Sequence, residues 1–285
     1  MSLPWKFALL MAEVVEVGLD RIPEFCAEIG ADRIEGGFRI IESLNDQAFE
    51  QLARRFDQAE VKIHTFHLPF GIPIDISDFY ETRRREAVQR SIRCMERCAR
   101  LGVRVGIQHP TTCLYHADVE GIDRFLDTLR RSLDELVPVA ERCGLTIALE
   151  NIPAREYGPR FGSLPAHFAV MRERLDYPQV GFCFDTGHAL MSLGLNQEDQ
   201  MFDAMGDRLV AFHLADNAGD RDSHLAPGRG RVDWRTVFRR AAALGFSGTM
   251  CIETPPFAPG PPYGAAAYRE LLQETRALAK RALAE

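Results

Sequence analysis

VGFCFDTGH, residues 180–188, is a short apolar run that ends in Asp185, with His188 three positions further on. Runs of this kind recur along the chain, and amphipathic stretches separate them. This alternation is typical of repeated βα units that build a parallel sheet. It predicts eight strands, at residues 6–10, 31–35, 61–67, 103–109, 145–150, 180–185, 209–214 and 249–253.

The stretches between the predicted strands have the periodicity of helices. In Glu81–Arg100, apolar residues recur at spacings of three and four, which places them on one helix face. This face consists of Val88, Ile92, Met95 and Ala99. Gly102 is expected to end the helix, and a last helix near residues 265–284 would complete the series.

Eight βα units can close into a barrel or form an open sheet. An open doubly wound sheet usually has fewer strands and a glycine-rich phosphate loop after the first, and no such loop follows Leu10. The 285 residues fit the length of about 250 that a barrel needs, and no linker interrupts them. We therefore predict one domain, residues 1–285, folded as a (β/α)8 TIM barrel of the α/β class.

Composition narrows the classes of function. The chain is 46% hydrophobic and 26% charged, as in globular proteins, and its formal charge of −7 disfavours nucleic acid without excluding a local basic groove. The apolar run at 7–11 is too short to span a membrane, so we expect a cytoplasmic protein. Seven cysteines without a CxxC pair indicate reduced, buried thiols. No lysine lies where a Schiff-base enzyme would need it.

Residues that can bind metal stand at six successive strand ends. In a barrel enzyme the site forms at the carboxyl ends of the strands. The strand-end residues are His67, His109, Glu150, Asp185, His213 and Glu253, and His188, Asp222 and His224 follow close behind. Taken singly, His67, His109 or His188 would more often be a structural histidine than a ligand, and Asp222 could simply belong to a solvated loop. Together they predict a bound divalent cation, because so many clustered carboxylates and imidazoles would otherwise repel one another and be costly to desolvate.

Strand alternation predicts which residues lie beneath this cluster. Side chains two positions before each strand-end residue should also point into the barrel. They are Thr65, Ile107, Ala148, Cys183, Ala211 and Cys251. Most are small and uncharged, so we expect an interior layer in which Cys183 and Cys251 are core residues and not thiolate ligands. The proline-rich stretch at 255–262 directly follows a strand and is predicted to be an active-site loop.

Several motifs resemble those of the xylose-isomerase-like barrel superfamily. They are Ala148-Leu149-Glu150-Asn151, Phe184-Asp185-Thr186-Gly187-His188, Phe212-His213-Leu214 and Asp222-Ser223-His224, which leads through Pro227-Gly228-Arg229-Gly230 to Asp233-Trp234. The resemblance spans the third to eighth strands. The superfamily contains sugar isomerases and epimerases, hydroxypyruvate-isomerase-like proteins, dehydratases and the endonuclease IV type of repair enzyme, so the motifs do not choose one reaction.

In the ketose epimerase branch, one manganese-type ion is held by positions matching Glu150, Asp185, His213 and Glu253. The resemblance implies Mn²⁺, Mg²⁺ or Co²⁺, with Glu150 and Glu253 as the acid/base pair and His188 on the substrate oxygens. Such an ion would stabilise an enediolate of a small sugar, sugar phosphate or hydroxy-keto acid. Isomerisation and epimerisation stay open, as does assembly into a homo-oligomer.

The repair-endonuclease branch holds three Zn²⁺ ions with positions matching all nine residues named above. Metal-assisted phosphodiester hydrolysis is therefore the rival function, although Gly187 stands where those enzymes usually have cysteine. Sugar binding without catalysis is a third alternative. Three further residues are candidates for substrate binding: Glu35, which could instead pair with Arg39, and Arg221 and Arg229, which could instead be solvated loop residues.

Overall fold

The structure, a computed structural model, contains a closed barrel of eight parallel strands and describes residues 2–112, 115–155, 158–256 and 263–284. Each strand pairs with its neighbours in chain order, and the first pairs with the eighth. The strands are β1 Lys6–Leu10, β2 Arg33–Gly37, β3 Lys62–His67, β4 Val105–Gln108, β5 Thr146–Glu150, β6 Val180–Asp185, β7 Leu209–Leu214 and β8 Thr249–Ile252. The barrel confirms the predicted fold class, and the single domain 1–285 stays a prediction.

Helices follow the strands and share a large apolar core with them. They are α1 Met11–Val14, α2 Ile22–Ile29, α3 Phe38–Ser43, α4 Asp46–Gln58, α5 Glu81–Arg100, α6 Ala117–Glu120, α7 Ile122–Cys143, α8 Pro165–Arg174, α9 Thr186–Leu193, α10 Glu198–Met205, α11 Trp234–Ala243 and α12 Ala265–Ala284. Helix α5 has the predicted bounds, and Val88 and Met95 are buried. Ala99 is exposed, contrary to prediction, because the neighbouring Cys98 occupies the inward face.

The second strand corrects one predicted boundary. We expected it to end at Glu35, but β2 continues through Gly36 to Gly37. Gly36 packs against an aromatic ring of β3, and a Cβ there would lie 2.4 Å from Phe66 Cδ2. Glu35 is therefore a central residue of β2. Its register with β3 shifts between Ile34 and Glu35. Two other strand ends differ by one residue, since His109 and Glu253 come directly after β4 and β8. Strands β2 to β5 begin one or two residues later than predicted.

The interior layer that strand alternation predicts is present. Ile107, Ala148, Cys183 and Ala211 form a buried cluster inside the barrel together with Val105. Thr65 and Cys251 are each 1% exposed. Burial raises the pKa of the Cys183 and Cys251 thiols well above the ordinary value, so both are neutral core groups. The layer forms the floor on which the strand-end residues stand.

Two expectations lie at the limits of the described chain. Residues 257–262 of the proline-rich stretch at 255–262, the predicted active-site loop, lie outside the described residues. None of the helices within the described ranges combines the length and apolarity that a membrane span needs.

Candidate metal centre

The carboxyl ends of the strands bring the predicted ligands to one end of the barrel. His67, Glu150 and Asp185 are the last residues of β3, β5 and β6, and His213 is the last but one of β7. Glu150, Asp185 and His213 are fully buried. Their convergence follows from the parallel strands, which all end at the same rim of the barrel.

The first ligand group consists of Glu150, Asp185, His213 and Glu253. One oxygen or nitrogen atom from each lies within 4.8 Å of the corresponding atoms of the other three. His213 is central, because its Nδ1 lies 2.7 Å from Glu150 Oε1 and 2.9 Å from Glu253 Oε2. Four residues that are far apart in the chain thus face one point, as the sequence predicted.

Two more groups of candidate ligands adjoin the first. One is His67, His109 and Glu150, and the other is His188, Asp222 and His224. Glu150 Oε2 lies 3.4 Å from His67 Nε2 and 3.1 Å from His109 Nε2, so Glu150 belongs to two groups. Asp222 Oδ2 lies 3.2 Å from His188 Nε2 and 3.3 Å from His224 Nε2. All nine residues that the sequence predicts as ligands therefore lie in three adjacent groups that could hold a metal ion, and their role as ligands stays a prediction.

Unsatisfied oxygens show that a cation fits the first group. Glu150 Oε2, Asp185 Oδ2 and Glu253 Oε2 are buried and have no hydrogen-bond donor in good geometry. Buried carboxylate oxygens without a partner are rare and costly. Three carboxylates and one imidazole form a donor set suited to a hard or borderline divalent ion, which would satisfy these oxygens.

The charges of the centre are strongly coupled. Burial raises the pKa of Glu150, but His213 and His109 outweigh it and hold the pKa well below its ordinary value. Burial also raises the pKa of Glu253, but His213 outweighs burial and lowers this pKa to about 2. Burial, aided by Glu150 and Glu253, raises the pKa of Asp185 to about 7.

The pKa values of the site histidines are shifted in opposite directions. Burial lowers the pKa of His188, but nearby acidic groups, among them Asp185, outweigh burial and raise the pKa to about 10. Burial likewise lowers the pKa of His213, but nearby acidic groups, among them Glu253, raise it well above its ordinary value. Burial lowers the pKa of His109 to about 4. Protons on His213, His188 and Asp185 therefore balance the carboxylates, and a divalent cation could replace that positive charge.

Hydrogen bonds fix the orientation of most of the site histidines. His188 Nδ1 lies 2.8 Å from the carbonyl oxygen of Asn151, and His224 Nδ1 lies 2.7 Å from that of Glu253. His67 Nδ1 lies 3.3 Å from the carbonyl oxygen of Leu68. A ring whose Nδ1–H donates to a carbonyl presents its Nε2 as the free ligand atom. These three rings therefore direct Nε2 toward the acidic residues of their groups.

Asn151 is a positioning residue to which sequence reasoning assigned no role. Its Nδ2 donates to the carbonyl oxygen of Asp185 at 2.8 Å, and its Oδ1 accepts from the Asp185 N–H at 2.7 Å. The Asn151 side chain thereby joins the end of β5 to the end of β6. The Asp185 carboxylate in turn accepts from the His188 N–H at 2.6 Å and caps α9. The feature of the sequence that could have indicated this role is the amide residue Asn151 directly after Glu150.

The loop that carries Asp222 and His224 is organised around the buried carboxylate of Asp216, which sequence reasoning also missed. Asp216 accepts hydrogen bonds from the N–H groups of Asn217, Gly228 and Val232 and from Trp234 Nε1, all at 2.8–3.0 Å. A Cβ at Gly230 would lie 2.3 Å from Asp216 Oδ1, so this position requires glycine. Gly230 and Trp234, both within the motif that follows Asp222-Ser223-His224, therefore stabilise the conformation of the loop.

The three predicted substrate-binding candidates have different surroundings. Glu35 is buried, and its Oε1 lies 2.9 Å from His213 Nε2; among the described residues it forms no ion pair with Arg39. Arg39 is exposed and lies against the rings of Phe38 and Phe70. Arg221 is exposed next to Asp222. Arg229 is exposed, and its guanidinium lies 2.8 Å from Glu274 Oε2 of α12. Glu274 belongs to none of the three ligand groups.

A cavity of about 160 Å³ opens beside the first ligand group. Its acidic and imidazole lining comes from Glu35, His67 and Glu253, and its apolar walls include Met11, Phe38 and Phe70. Phe38 and Phe70 lie shortly after the ends of β2 and β3. Their positions in the sequence do not mark them as site residues, because apolar residues near strand ends are common in barrel cores.

Residues 23–278 match the family model described as a xylose isomerase-like TIM barrel. The chain belongs to this family. The match covers most of the barrel and confirms the resemblance that the strand-end motifs suggested.

Curated relatives in this family include proteins of different kinds. The uncharacterized protein MJ1311 of Methanocaldococcus jannaschii is 26% identical over 212 residues, which cover 74% of this chain and 70% of that protein. A probable endonuclease 4 of Cenarchaeum symbiosum is 26% identical over 266 residues, 84% of this chain and 89% of that protein. A fructoselysine 3-epimerase of Escherichia coli is 28% identical over 130 residues, but the match spans only 44% of each protein.

Solved structures share the whole barrel. A D-tagatose 3-epimerase-like protein superposes with a TM-score of 0.78 at 24% identity, covering 98% of this chain and 99% of that chain. The IolI protein, whose structure contains a bound zinc atom, superposes with a TM-score of 0.77 at 20% identity, covering 97% of each chain. At these identities the likeness shows the fold.

Proposed function

We propose that this protein is a divalent-metal-dependent isomerase or epimerase of a small sugar, sugar phosphate or hydroxy-keto acid. One observation carries the proposal: Glu150 and Glu253 meet at His213 Nδ1, at 2.7 and 2.9 Å, and Glu253 also lines the adjacent cavity. Two carboxylates that face one centre provide a proton acceptor and a proton donor for a carbon next to a carbonyl group.

The charge state of the two glutamates suits this chemistry. The pKa of Glu253 is lowered to about 2, and that of Glu150 lies well below its ordinary value, so both are ionised at neutral pH. An ionised carboxylate can accept a proton from substrate and return it to the neighbouring carbon, which gives isomerisation. Epimerisation would require the other glutamate to be protonated, so that it delivers a proton to the opposite face while the first keeps the one it removed. A divalent ion held by Glu150, Asp185, His213 and Glu253 would polarise the substrate oxygens when bound.

The substrate would occupy the cavity beside the ligand group. Its volume of about 160 Å³ matches a compact molecule, and the epimerase relative and the fold of the sugar epimerases support a sugar or a related keto acid. His188 is 6% exposed, and its Nε2 lies 3.2 Å from Asp222 Oδ2; in the isomerase hypothesis a substrate oxygen would replace Asp222 as its partner. For a single ion, the donor set favours Mn²⁺, Mg²⁺ or Co²⁺.

Hydrogen exchange tests the proposal whichever product the reaction forms. Purified protein loaded with Mn²⁺ would be incubated in D2O with a panel of ketoses and hydroxy-keto acids, and NMR would detect deuterium at the carbon next to the carbonyl. We expect exchange with at least one panel member and none after chelation. Glu150→Gln and Glu253→Gln should abolish it, whereas Glu198→Gln, another buried glutamate but on α10, should not. Undiminished exchange in metal-free protein would refute the metal-dependent mechanism, and binding without exchange would indicate a sugar-binding protein.

Phosphodiester hydrolysis by a multinuclear zinc centre is the second candidate. It is favoured by the three ligand groups, two of which share Glu150, and by the endonuclease 4 relative. Against it, Gly187 leaves room for Asn217, since a Cβ there would lie 3.0 Å from Asn217 Nδ2. The repair enzymes usually have cysteine at that position. Three zinc ions per chain together with cleavage of abasic-site DNA would establish this function and displace the first.

A further inference from the structure

The two nitrogens of His213 face different carboxylates. Nδ1 lies 2.7 Å from Glu150 Oε1 and 2.9 Å from Glu253 Oε2, both in the first ligand group. Nε2 lies 2.9 Å from Glu35 Oε1, outside that group. If His213 binds an ion together with Glu150 and Glu253, Nδ1 is the nitrogen that must give up its proton, and Nε2 must keep one.

His213 differs from the three other oriented histidines of the site. His67, His188 and His224 each direct Nδ1 to a backbone carbonyl and present Nε2 to the acidic residues. In His213 the roles of the nitrogens are reversed, and the partner is a carboxylate. A carboxylate accepts a stronger hydrogen bond than a carbonyl and raises the basicity of the ring as a ligand.

The burial of the Glu35 carboxylate is energetically unfavourable unless its contact with His213 compensates. Glu35 is 1% exposed, and its Oε2 has no hydrogen-bond partner among the described residues. Burying a carboxylate is energetically unfavourable unless its partners compensate for the lost hydration. The register shift of β2 at Glu35 and the side-chain-free Gly36 beside Phe66 accompany this inward placement.

We propose that Glu35 is a positioning residue that holds the Nε2–H of His213 and thereby makes Nδ1 the metal-binding nitrogen. The inference rests on the proposed metal-dependent function. Glu35 also lines the cavity, but its Oε1 faces His213 Nε2, so we assign it to the orientation of a metal ligand and not to the binding of substrate hydroxyls. Glu35 then acts through His213 and need not contact the reacting atoms.

Metal affinity is the direct measurement. Apo protein would be titrated calorimetrically with Mn²⁺ and, separately, with Zn²⁺, in the wild type, Glu35→Ala, Glu35→Gln and the control Glu198→Gln. We expect Glu35→Ala to lose about 10–100-fold in affinity, as removal of such an outer partner typically does. Glu35→Gln is close in size and keeps an acceptor oxygen, so it should lose less. The control should bind like the wild type, and circular dichroism would verify that each variant is folded.

A spectroscopic measurement separates positioning from a general structural effect. Nitrogen NMR of Zn²⁺-loaded protein with labelled histidine should show His213 protonated at Nε2 and bound through Nδ1, and Glu35→Gln should shift these two resonances. Wild-type affinity for both ions in folded Glu35→Ala, or His213 bound through Nε2, would overturn the proposal while leaving the metal site intact. If the wild type itself binds neither ion, the proposed function and this inference both fail.

Discussion

Removing the Asn151 side chain tests whether the join between β5 and β6 holds the first ligand group. In Asn151→Ala, the buried N–H of Asp185 loses its acceptor at 2.7 Å and the Asp185 carbonyl loses a donor at 2.8 Å. A stranded buried donor costs about 1–3 kcal/mol, and an ordinary hydrogen bond contributes about 1 kcal/mol. We therefore expect the free energy of unfolding to fall by about 2–4 kcal/mol.

Urea denaturation monitored by circular dichroism would measure this loss. The matched control is Gln47→Ala, which removes an exposed amide from α4 and should change the free energy of unfolding by less than about 0.5 kcal/mol. Because Asp185 is itself a candidate ligand, Asn151→Ala should also weaken Mn²⁺ binding. A loss of stability no larger than that of the control would refute the reasoning that Asn151 fixes Asp185.

Three other predictions concern pH, packing and the ion. His167 is buried, and burial lowers its pKa from 6.5 to about 4. Between these pH values the unfolded chain binds a proton there and the native protein does not, so stability should rise with pH by about 3 kcal/mol through this window. His167→Asn should remove about 2 kcal/mol of the wild-type difference between pH 5 and pH 7 in urea titrations, and an unchanged difference would contradict the assignment. Gly36→Ala should lower the free energy of unfolding by about 1–3 kcal/mol, because its Cβ would lie 2.4 Å from Phe66 Cδ2; a variant as stable as the wild type would show that the ring moves freely. Mn²⁺ at a hundred times its Kd should stabilise chelator-treated protein by about 2.7 kcal/mol in thermal unfolding, and Glu150→Gln should lack this increment.

The fold was predictable because its signals are local and repeated. The strands are short runs rich in apolar residues, and six successive strand ends carry a residue that can bind metal, so His67, Glu150 and Asp185 could be assigned to one rim before any contact was known. The barrel interior followed from alternation alone, which correctly placed Ala148 and Cys183.

The pairing of side chains across the barrel could not be predicted. Glu35 and His213 are separated by 178 positions, and Glu35 lies in the middle of β2 and not at its predicted end. The contacts of Asn151 and Asp216 were missed for a related reason. Most of the partners of these two side chains are backbone groups, whose positions are set by the fold and not by residue type.

The carboxylate of Asp216 has a further consequence for the loop after β7. Because Asp216 fixes the loop through backbone donors and Trp234, the protein's own hydrogen bonds hold Asp222 and His224 in place. An ion that binds there finds Asp222 and His224 already ordered, so little binding free energy is spent on ordering the loop. Substitutions at Asp216 should therefore slow capture of an ion at this pair by adding a folding step to binding, even though Asp216 never touches it.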